Sequence, residues 1–110
     1  MCELVVLVRR EITIALRRER PTVGDVAEKL ELSPRTMQRR LALQGTSFSV
    51  ELDAVLRECA LNGLVGKGFA GKCESVAELS DALGYKRQAS LSRAVRRWTG
   101  APPKTLMLRN

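Results

Sequence analysis

Arginine and glutamine side chains concentrate in two short windows of this sequence. Residues 33–44 contain three arginines and no acidic residue, and residues 82–110 contain seven basic residues and again no acid. Gln38 and Arg39 lie in the first window, and Gln88 and Arg93 lie in the second. A guanidinium can donate two hydrogen bonds to guanine O6 and N7, and a Gln amide can pair with adenine N6 and N7. Both windows therefore carry chemistry suited to the edges of base pairs.

The distribution of charge supports an anionic partner. The 110 residues include 19 basic and 12 acidic side chains, which give a formal net charge of +7 and an isoelectric point of about 10. The two windows hold more positive charge than the chain as a whole, so the remaining segments are net acidic. Such segregation favours nucleic acid as a partner over an evenly charged surface with no target.

A pattern of helix start, helix, turn and basic helix occurs twice in the chain. Thr22-x-x-Asp25 opens the first copy, and Ser75-x-x-Glu78 opens the second copy 53 residues later. A hydroxyl followed three residues on by a carboxylate satisfies free amide groups at the start of a helix. The apolar positions that follow recur at an offset of 53 or 54 residues. A short helix, a tight turn and a second helix form a helix-turn-helix, so the sequence predicts two such motifs.

The basic helix of the first copy has a well-defined start and an apolar side. Ser33 is suited to cap it, with Pro34 at its first position. Met37 and Leu41 are four residues apart and face inward together. This register directs four polar side chains outward, namely Arg35, Thr36, Gln38 and Arg39.

The basic helix of the second copy is predicted from about Arg87 to Thr99. Leu91, Val95 and Trp98 have the spacing of one buried face, and we expect Trp98 to pack in the core. This register directs five side chains outward, namely Arg87, Gln88, Ser92, Arg93 and Arg96.

The other segments also have helical patterns. An apolar stripe over residues 4–19 predicts a helix that Pro21 ends. The β-branched residues of this segment also fit a strand, but no other segment of the sequence resembles a strand that could pair with it. Ser47 or Ser49 starts a longer connector helix, which the glycines at 63, 66 and 68 end. We expect an all-α chain of two helix-turn-helix subdomains, spanning residues 1–46 and 67–110, with the connector at residues 47–66.

Several other chemistries are poorly supported. Gly66-x-x-x-x-Gly71-Lys72 matches most of a phosphate-binding P-loop, but Cys73 replaces the required hydroxyl and no strand precedes the motif, so we favour an exposed loop. Three cysteines without histidine support neither a disulfide framework nor a zinc site. We expect no metal, no cofactor and no enzymatic activity. The apolar run at residues 4–8 is too short for a membrane span or a signal peptide, so we expect a cytoplasmic protein.

Two stretches resemble a known family. TVGDVAEKLELSPRTMQRRLALQGTSF and SVAELSDALGYKRQASLSRAVRRWTGAPP are similar to the paired helix-turn-helix domain of the AraC/XylS transcription regulators, over about residues 5–109. The resemblance implies seven helices, with one helix of each subdomain placed in successive major-groove segments of double-stranded DNA. The base-contacting positions of the family map here onto Arg35, Thr36, Gln38 and Arg39, and onto Arg87, Gln88, Ser92 and Arg93.

This chain departs from the family pattern at two places that matter for geometry. Lys86-Arg87 occupies the position where a capping Ser or Asp is common, and the join between the connector and the second copy is about five residues longer than usual. Neither departure removes a base-contacting residue.

The expected function is therefore sequence-specific DNA binding and transcription regulation. We expect the remaining cations to bind phosphates and fix the register without reading sequence, namely Arg40, Lys86, Arg96, Arg97 and Lys104. A monomer with two such helices could read an asymmetric site. Family members often carry a separate effector-binding or dimerisation domain, so the chain is either a stand-alone regulator or the C-terminal part of a longer one. RNA polymerase is a second expected partner, and the alternative function is an interaction module that docks on polymerase or another regulator.

Overall fold

Seven α-helices and one short 3-10 helix build the part of the chain that the structure describes. The computed structural model describes residues 3–107, and this part contains no β-strand. The all-helical prediction and the expected number of helices are therefore confirmed for the described residues. The α-helices are α1 Glu3–Ala15, α2 Val23–Lys29, α3 Pro34–Leu43, α4 Phe48–Leu64, α5 Val76–Ala82, α6 Gln88–Thr99 and α7 Pro103–Met107, and the 3-10 helix is Phe69–Lys72.

The helices form two compact units, and the division falls within α4. One unit ends at Val55 and the other begins at Leu56. In the first unit α1 packs on α2 and α3, which also pack on each other. In the second unit α6 packs on α5 and on α7. The subdomain limits expected at residues 46 and 67 stay a prediction.

The apolar stripe of α1 closes the core of the first unit. Val5, Val8, Ile12 and Leu16 recur every three or four residues and are all buried. The predicted helix is thus confirmed, but it ends at Ala15, well before Pro21. The chain leaves the helix because the amides of residues 18 and 19 both donate to the Ala15 carbonyl, which forms a closing turn.

The helix starts predicted in the first unit are confirmed. The Thr22 hydroxyl accepts from the Asp25 amide at 3.1 Å, and the Asp25 carboxylate accepts from the Thr22 amide at 2.9 Å. These hydrogen bonds hold the pKa of Asp25 below its ordinary value of 3.8, because they stabilise the charged carboxylate. Ser33 caps α3 in the same way, with its hydroxyl 3.1 Å from the Thr36 amide and Pro34 at the first helical position.

One ion pair in the first unit joins a buried carboxylate to a partly exposed guanidinium. The Glu51 side chain is only 4% exposed, whereas the Arg9 side chain is 40% exposed. The Glu51 carboxylate accepts from Arg9 Nε through one oxygen and from the Thr46 hydroxyl through the other. A buried carboxylate requires such partners, since an unpaired buried charge is costly. The pair fixes α1 to the first turns of α4.

The second unit repeats the construction with small differences. The Ser75 hydroxyl accepts from the Glu78 amide at 3.1 Å, but the Glu78 carboxylate accepts from the amide of Glu74, one residue before the cap. The buried side of α6 contains Leu91 and Val95 as predicted, together with Ala94, which was not predicted. Trp98 is only half-buried, so its assignment to the core is correct in part. Gly100 ends α6 with a φ of 81°, in the left-handed region that glycine adopts at low cost.

The glycine-rich segment is more ordered than a simple exposed loop. Helix α4 ends at Leu64, among the glycines predicted to end it, but it continues through Gly63, so Gly63 itself does not break the helix. The backbone approaches Leu79 and Ala70 there, and a Cβ at Gly63 would lie 2.7 Å from a Leu79 methyl carbon. Gly71 lies so close to Gly66 that a Cβ would be 2.5 Å from the Gly66 carbonyl carbon. The motif follows a helix and not a strand, which is the wrong context for a P-loop.

Candidate nucleic-acid interface

The turn between α2 and α3 determines where the first basic helix begins. Leu30 is the C-cap of α2, and Glu31 follows with a φ of 57°, in the left-handed region. The Leu32 amide then donates to the Ala27 carbonyl at 2.9 Å. These hydrogen bonds reverse the chain within a few residues, so that the Ser33 cap starts α3 directly after α2.

The turn between α5 and α6 has the same hydrogen bonds 53 residues later. Gly84 occupies the position of Glu31 and has a φ of 76°. The Tyr85 amide donates to the Ser80 carbonyl at 3.0 Å, as Leu32 donates to Ala27 in the first copy. Both motifs are therefore built with the same backbone geometry at the turn, and the repeat inferred from the sequence is a repeat of structure.

Helix α3 presents the four residues predicted to contact bases. Arg35, Gln38 and Arg39 are exposed, and Met37 and Leu41 on the opposite side are fully buried. Thr36 is half-buried.

The Thr36 hydroxyl is oriented by the residue that caps the helix. Ser33 Oγ donates to Thr36 Oγ1 at 2.9 Å while accepting from the Thr36 amide. A threonine hydroxyl has one proton and two lone pairs. The bond from Ser33 occupies one lone pair, so the proton of Thr36 remains available to donate to an acceptor, such as a purine N7 or a phosphate oxygen.

Helix α6 presents its predicted residues from different positions. Arg87 is the N-cap, and its side chain makes no capping hydrogen bond, as the missing Ser or Asp at this place suggested. Gln88 is the first helical residue, and both side chains are exposed. Arg93 is exposed in the second turn, with Ser92 half-buried beside it.

The buried positions of α3 and α6 are related by an offset of 54 residues. By this offset Arg87 corresponds to Ser33 and Gln88 to Pro34, and these two residues of the first copy precede Arg35, the first outward arginine of α3. The position that corresponds to Arg35 is Ala89, an exposed residue that the sequence reasoning did not select. The same offset was already visible in the sequence, so counting along both copies from Met37 and Leu91 would have found it.

The cations predicted to contact phosphates are all at the surface. Arg40, Lys86, Arg96, Arg97 and Lys104 are exposed. Arg97 differs from the others because its guanidinium lies 5.7 Å from the centre of the Trp98 ring. A cation held over an indole in this way is attracted by the negative face of the ring. Arg97 is thus partly engaged within its own helix.

Other kinds of site are weakly supported in the described part of the chain. Burial raises the pKa of the Cys59 and Cys73 thiols, with smaller contributions from Glu58 and Glu78, so neither is activated as a nucleophile. Residues 3–107 contain no cluster of His, Cys, Asp and Glu arranged to hold a metal ion. No helix within the same residues is long and apolar enough to cross a membrane.

The geometry of the two units defines the class of protein. Each unit holds a short capped helix, a tight turn and a second helix whose outer side carries arginine, which makes this a protein with two helix-turn-helix units. A sequence model of a protein family, described as a helix-turn-helix domain, matches residues 26–109 of this chain. The chain belongs to this family, the helix-turn-helix domain of AraC-type transcription regulators.

Relatives and solved structures agree with this assignment. The chain is 39% identical over 83 residues to an uncharacterised HTH-type transcriptional regulator of Mycobacterium tuberculosis, covering 76% of this chain and 23% of that protein. It is 35% identical over 80 residues to the HTH-type transcriptional regulator VqsM of Pseudomonas aeruginosa, covering 73% and 23%. The chain thus spans about a quarter of the length of these relatives.

The fold recurs in solved structures of transcriptional regulators. A DNA-binding transcriptional dual regulator from Escherichia coli superposes with a TM-score of 0.83 at 23% identity, with both chains fully covered. The transcriptional regulator CdpR from Pseudomonas aeruginosa gives a TM-score of 0.72 at 30% identity, over 92% of this chain and 31% of that one.

Proposed function

We propose that this chain binds double-stranded DNA sequence-specifically and regulates transcription, with α3 and α6 as recognition helices in successive major-groove segments. The observation that carries the proposal is that each unit exposes arginine on the side of a helix opposite its buried stripe. Arg39 lies between the buried Met37 and Leu41, and Arg93 lies between the buried Leu91 and Val95. In both helices the arginine points away from the core, where a groove could receive it.

The base-contact role is assigned to the residues near the start of each recognition helix. In helix-turn-helix proteins the first turns of that helix contact base edges. Each arginine that pairs bidentately with guanine contributes about 1–3 kcal/mol of discrimination against other bases. Arg39 and Arg93 supply this contact in the two units, Arg35 supplies a second one in the first unit, and the exposed amides of Gln38 and Gln88 can pair with adenine. The exposed lysines and arginines at the ends of the helices supply phosphate contacts.

The partners and the location follow from this function. DNA binding places the protein in the cytoplasm of a bacterial cell, and a regulator of transcription acts on RNA polymerase as a second partner. Two recognition helices on one chain allow a monomer to occupy an asymmetric site. Sedimentation of this chain alone should therefore give a single species of monomer mass.

The experiment is a selection from random duplex DNA at physiological salt, followed by binding measurements on the enriched site. Low salt is avoided because phosphate contacts alone give binding there. Arg39→Ala and Arg93→Ala should each weaken binding to the enriched site by about 1–3 kcal/mol and leave binding to random DNA almost unchanged. Arg96→Ala should weaken binding to the enriched site and to random DNA alike, and should reduce the slope of log affinity against log salt concentration by about one.

Matched controls separate a base contact from a general loss of charge. Arg10 on α1 and Arg57 on α4 are exposed arginines outside the recognition helices. Arg10→Ala and Arg57→Ala remove the same charge and should leave the preference for the enriched site unchanged. If Arg39→Ala and Arg93→Ala lose as much affinity for random DNA as for the enriched site, they contact phosphates and the proposed reading is wrong.

A further inference from the structure

The two recognition helices expose the same positions but place different side chains there. Each helix has three exposed residues at spacings of four and then three, on the side opposite its buried stripe, which we term its outer stripe. The outer stripe of α3 is Arg35, Arg39 and Ala42, and that of α6 is Ala89, Arg93 and Arg96. The offset of 54 residues that relates these positions also relates the buried Met37 and Leu41 to the buried Leu91 and Val95.

The order of arginine and alanine along the outer stripe is reversed between the two helices. In α3 the two arginines come first and the alanine lies in the last turn. In α6 the alanine lies in the first turn and the two arginines follow. Because the first turns approach the base edges and the last turn approaches the backbone, only the first two members of each outer stripe are placed to read bases. The pair that reads is thus Arg35 with Arg39 in one unit, and Ala89 with Arg93 in the other.

We infer that Ala89 is a specificity-determining residue whose methyl group contacts the 5-methyl group of a thymine. This inference rests on the proposed function and deepens it. The thymine methyl is the one apolar group on the major-groove edges, and alanine is among the residues that contact it. The first half-site then contains two guanines, read by Arg35 and Arg39, whereas the second contains a thymine and a guanine, read by Ala89 and Arg93.

The spacing within each half-site follows from helix geometry. Residues four apart are about 6 Å apart along the helix axis, which corresponds to roughly two base-pair steps of about 3.4 Å. The thymine should therefore lie within about three base pairs of the guanine that Arg93 contacts. The side chain of Ala89 is exposed and takes no part in the core. The exposed cations Lys86 and Arg87 precede it by three and two residues, so the methyl lies in a basic stretch of the sequence.

The test replaces the thymine by deoxyuridine, which removes only the 5-methyl group. On the site enriched from random DNA, each thymine within three base pairs of the guanine read by Arg93 is replaced in turn. One such replacement should weaken binding of the unaltered protein about fourfold, the factor expected for one buried methyl-sized group. For the Ala89→Gly variant the same replacement should have no effect. Because each ratio compares two DNAs on one protein, a change in folding cancels.

Two further variants complete the design. Ala77 is an exposed alanine on α5, outside the recognition helices, and Ala77→Gly should keep the fourfold response to deoxyuridine. Ala89→Arg gives α6 the same first pair as α3, so a new selection should replace the thymine by guanine.

The possible outcomes separate the two proposals. If random DNA yields no enriched site, the proposed function fails and this inference fails with it. If a site is enriched but deoxyuridine is tolerated at every tested position, the inference is overturned while the proposed function stands. An equal loss in the unaltered protein and in Ala89→Gly also overturns it, because the methyl is then sensed by another residue.

Discussion

The buried ion pair of the first unit should respond very differently to the loss of its two members. Arg9→Met removes the cation and keeps a side chain of similar length for packing. The Glu51 carboxylate, which is 4% exposed, then keeps its hydrogen bond from the Thr46 hydroxyl but loses the guanidinium. Glu51→Met removes the anion instead, and leaves an arginine whose side chain is already 40% exposed and can be hydrated by water.

The size of the difference can be worked from these exposures. Removal of one partner of a buried pair costs about 3–5 kcal/mol, because an uncompensated charge stays buried. Thr46 keeps one hydrogen bond, so we expect Arg9→Met to lower the free energy of unfolding by about 3 kcal/mol. Loss of a half-exposed partner costs about 1 kcal/mol or less, which is our expectation for Glu51→Met. The double variant leaves neither charge behind and should lie close to the unaltered protein.

Urea unfolding at pH 7, followed by circular dichroism at 222 nm, measures all three free energies. At this chain length a loss of 1 kcal/mol lowers the melting temperature by about 4 °C, so Arg9→Met should melt roughly 12 °C lower. An equal or larger loss for Glu51→Met would refute the reasoning, since the cost would then come from packing and not from a stranded charge. A double variant as unstable as Arg9→Met would refute it as well.

Five further substitutions test the backbone geometry of the turns and the charge of one capping carboxylate. Glu31→Gly should raise the free energy of unfolding by about 1 kcal/mol, because a residue with a side chain is strained at a φ of 57°, and Gly84→Glu should lower it by a similar amount. Urea titration measures both free energies. A lower free energy of unfolding for Glu31→Gly would contradict the strain. Gly71→Ala should lower the free energy of unfolding by about 1–3 kcal/mol, since its Cβ would be 2.5 Å from the Gly66 carbonyl carbon. Gly24→Ala, inside α2, places its Cβ 3.7 Å from the Thr22 hydroxyl oxygen, an ordinary contact, and should be neutral or stabilising in the same assay. The pKa of Asp25 is lowered on folding, so its contribution to stability is present above pH 3.8 and is lost as the pH falls through the folded-state pKa. The melting temperature of Asp25→Asn should therefore differ from that of the unaltered protein at pH 7 and pH 5, and the two should converge in stronger acid. A difference that persists in stronger acid would contradict this assignment.

The helices could be predicted because their signals are local. Thr22, Ser33 and Ser75 each accept from an amide three residues on, and this requires only a hydroxyl at the right position. The inward positions of α3 and α6 could be predicted from spacing alone, because a period of 3.6 residues brings Met37 under Leu41. The exposed faces that carry the candidate site follow from the same register.

Features that depend on distant residues could not be predicted. Arg9 and Glu51 are separated by 42 residues, and neither shows in the sequence which partner it will meet. Glu31 adopts a left-handed conformation although nothing in its residue type favours one, because the turn that Gly84 makes in the second copy is imposed here by the surrounding hydrogen bonds. The close approach of the backbone at Gly63 is hidden in the sequence for the same reason, since only Leu79 and Ala70 show why a glycine is required inside the helix.

The candidate site shows the same division. Three of the four residues predicted to point outward from α3 are exposed, because the helix start at Ser33-Pro34 is strong, whereas Thr36 is half-buried. In α6 the helix start has no capping side chain, so the sequence did not distinguish the cap position Arg87 from the first turn. The residue type of Ala89 predicts no role in binding, because an exposed alanine carries neither a charge nor a hydrogen-bonding group. The base contacts themselves stay a prediction until the binding experiments are made.

Helix α4 has a consequence for folding cooperativity. Val55 is the last residue of the first unit and Leu56 is the first of the second, and they are adjacent in one uninterrupted helix. Both side chains are buried, at 4% and 5% exposure, so the same helix contributes to the core of each unit. Local melting of its middle turns would expose apolar surface belonging to both units at once. The two repeats should therefore unfold in a single transition, and neither half should keep its full stability when the chain is cut between them.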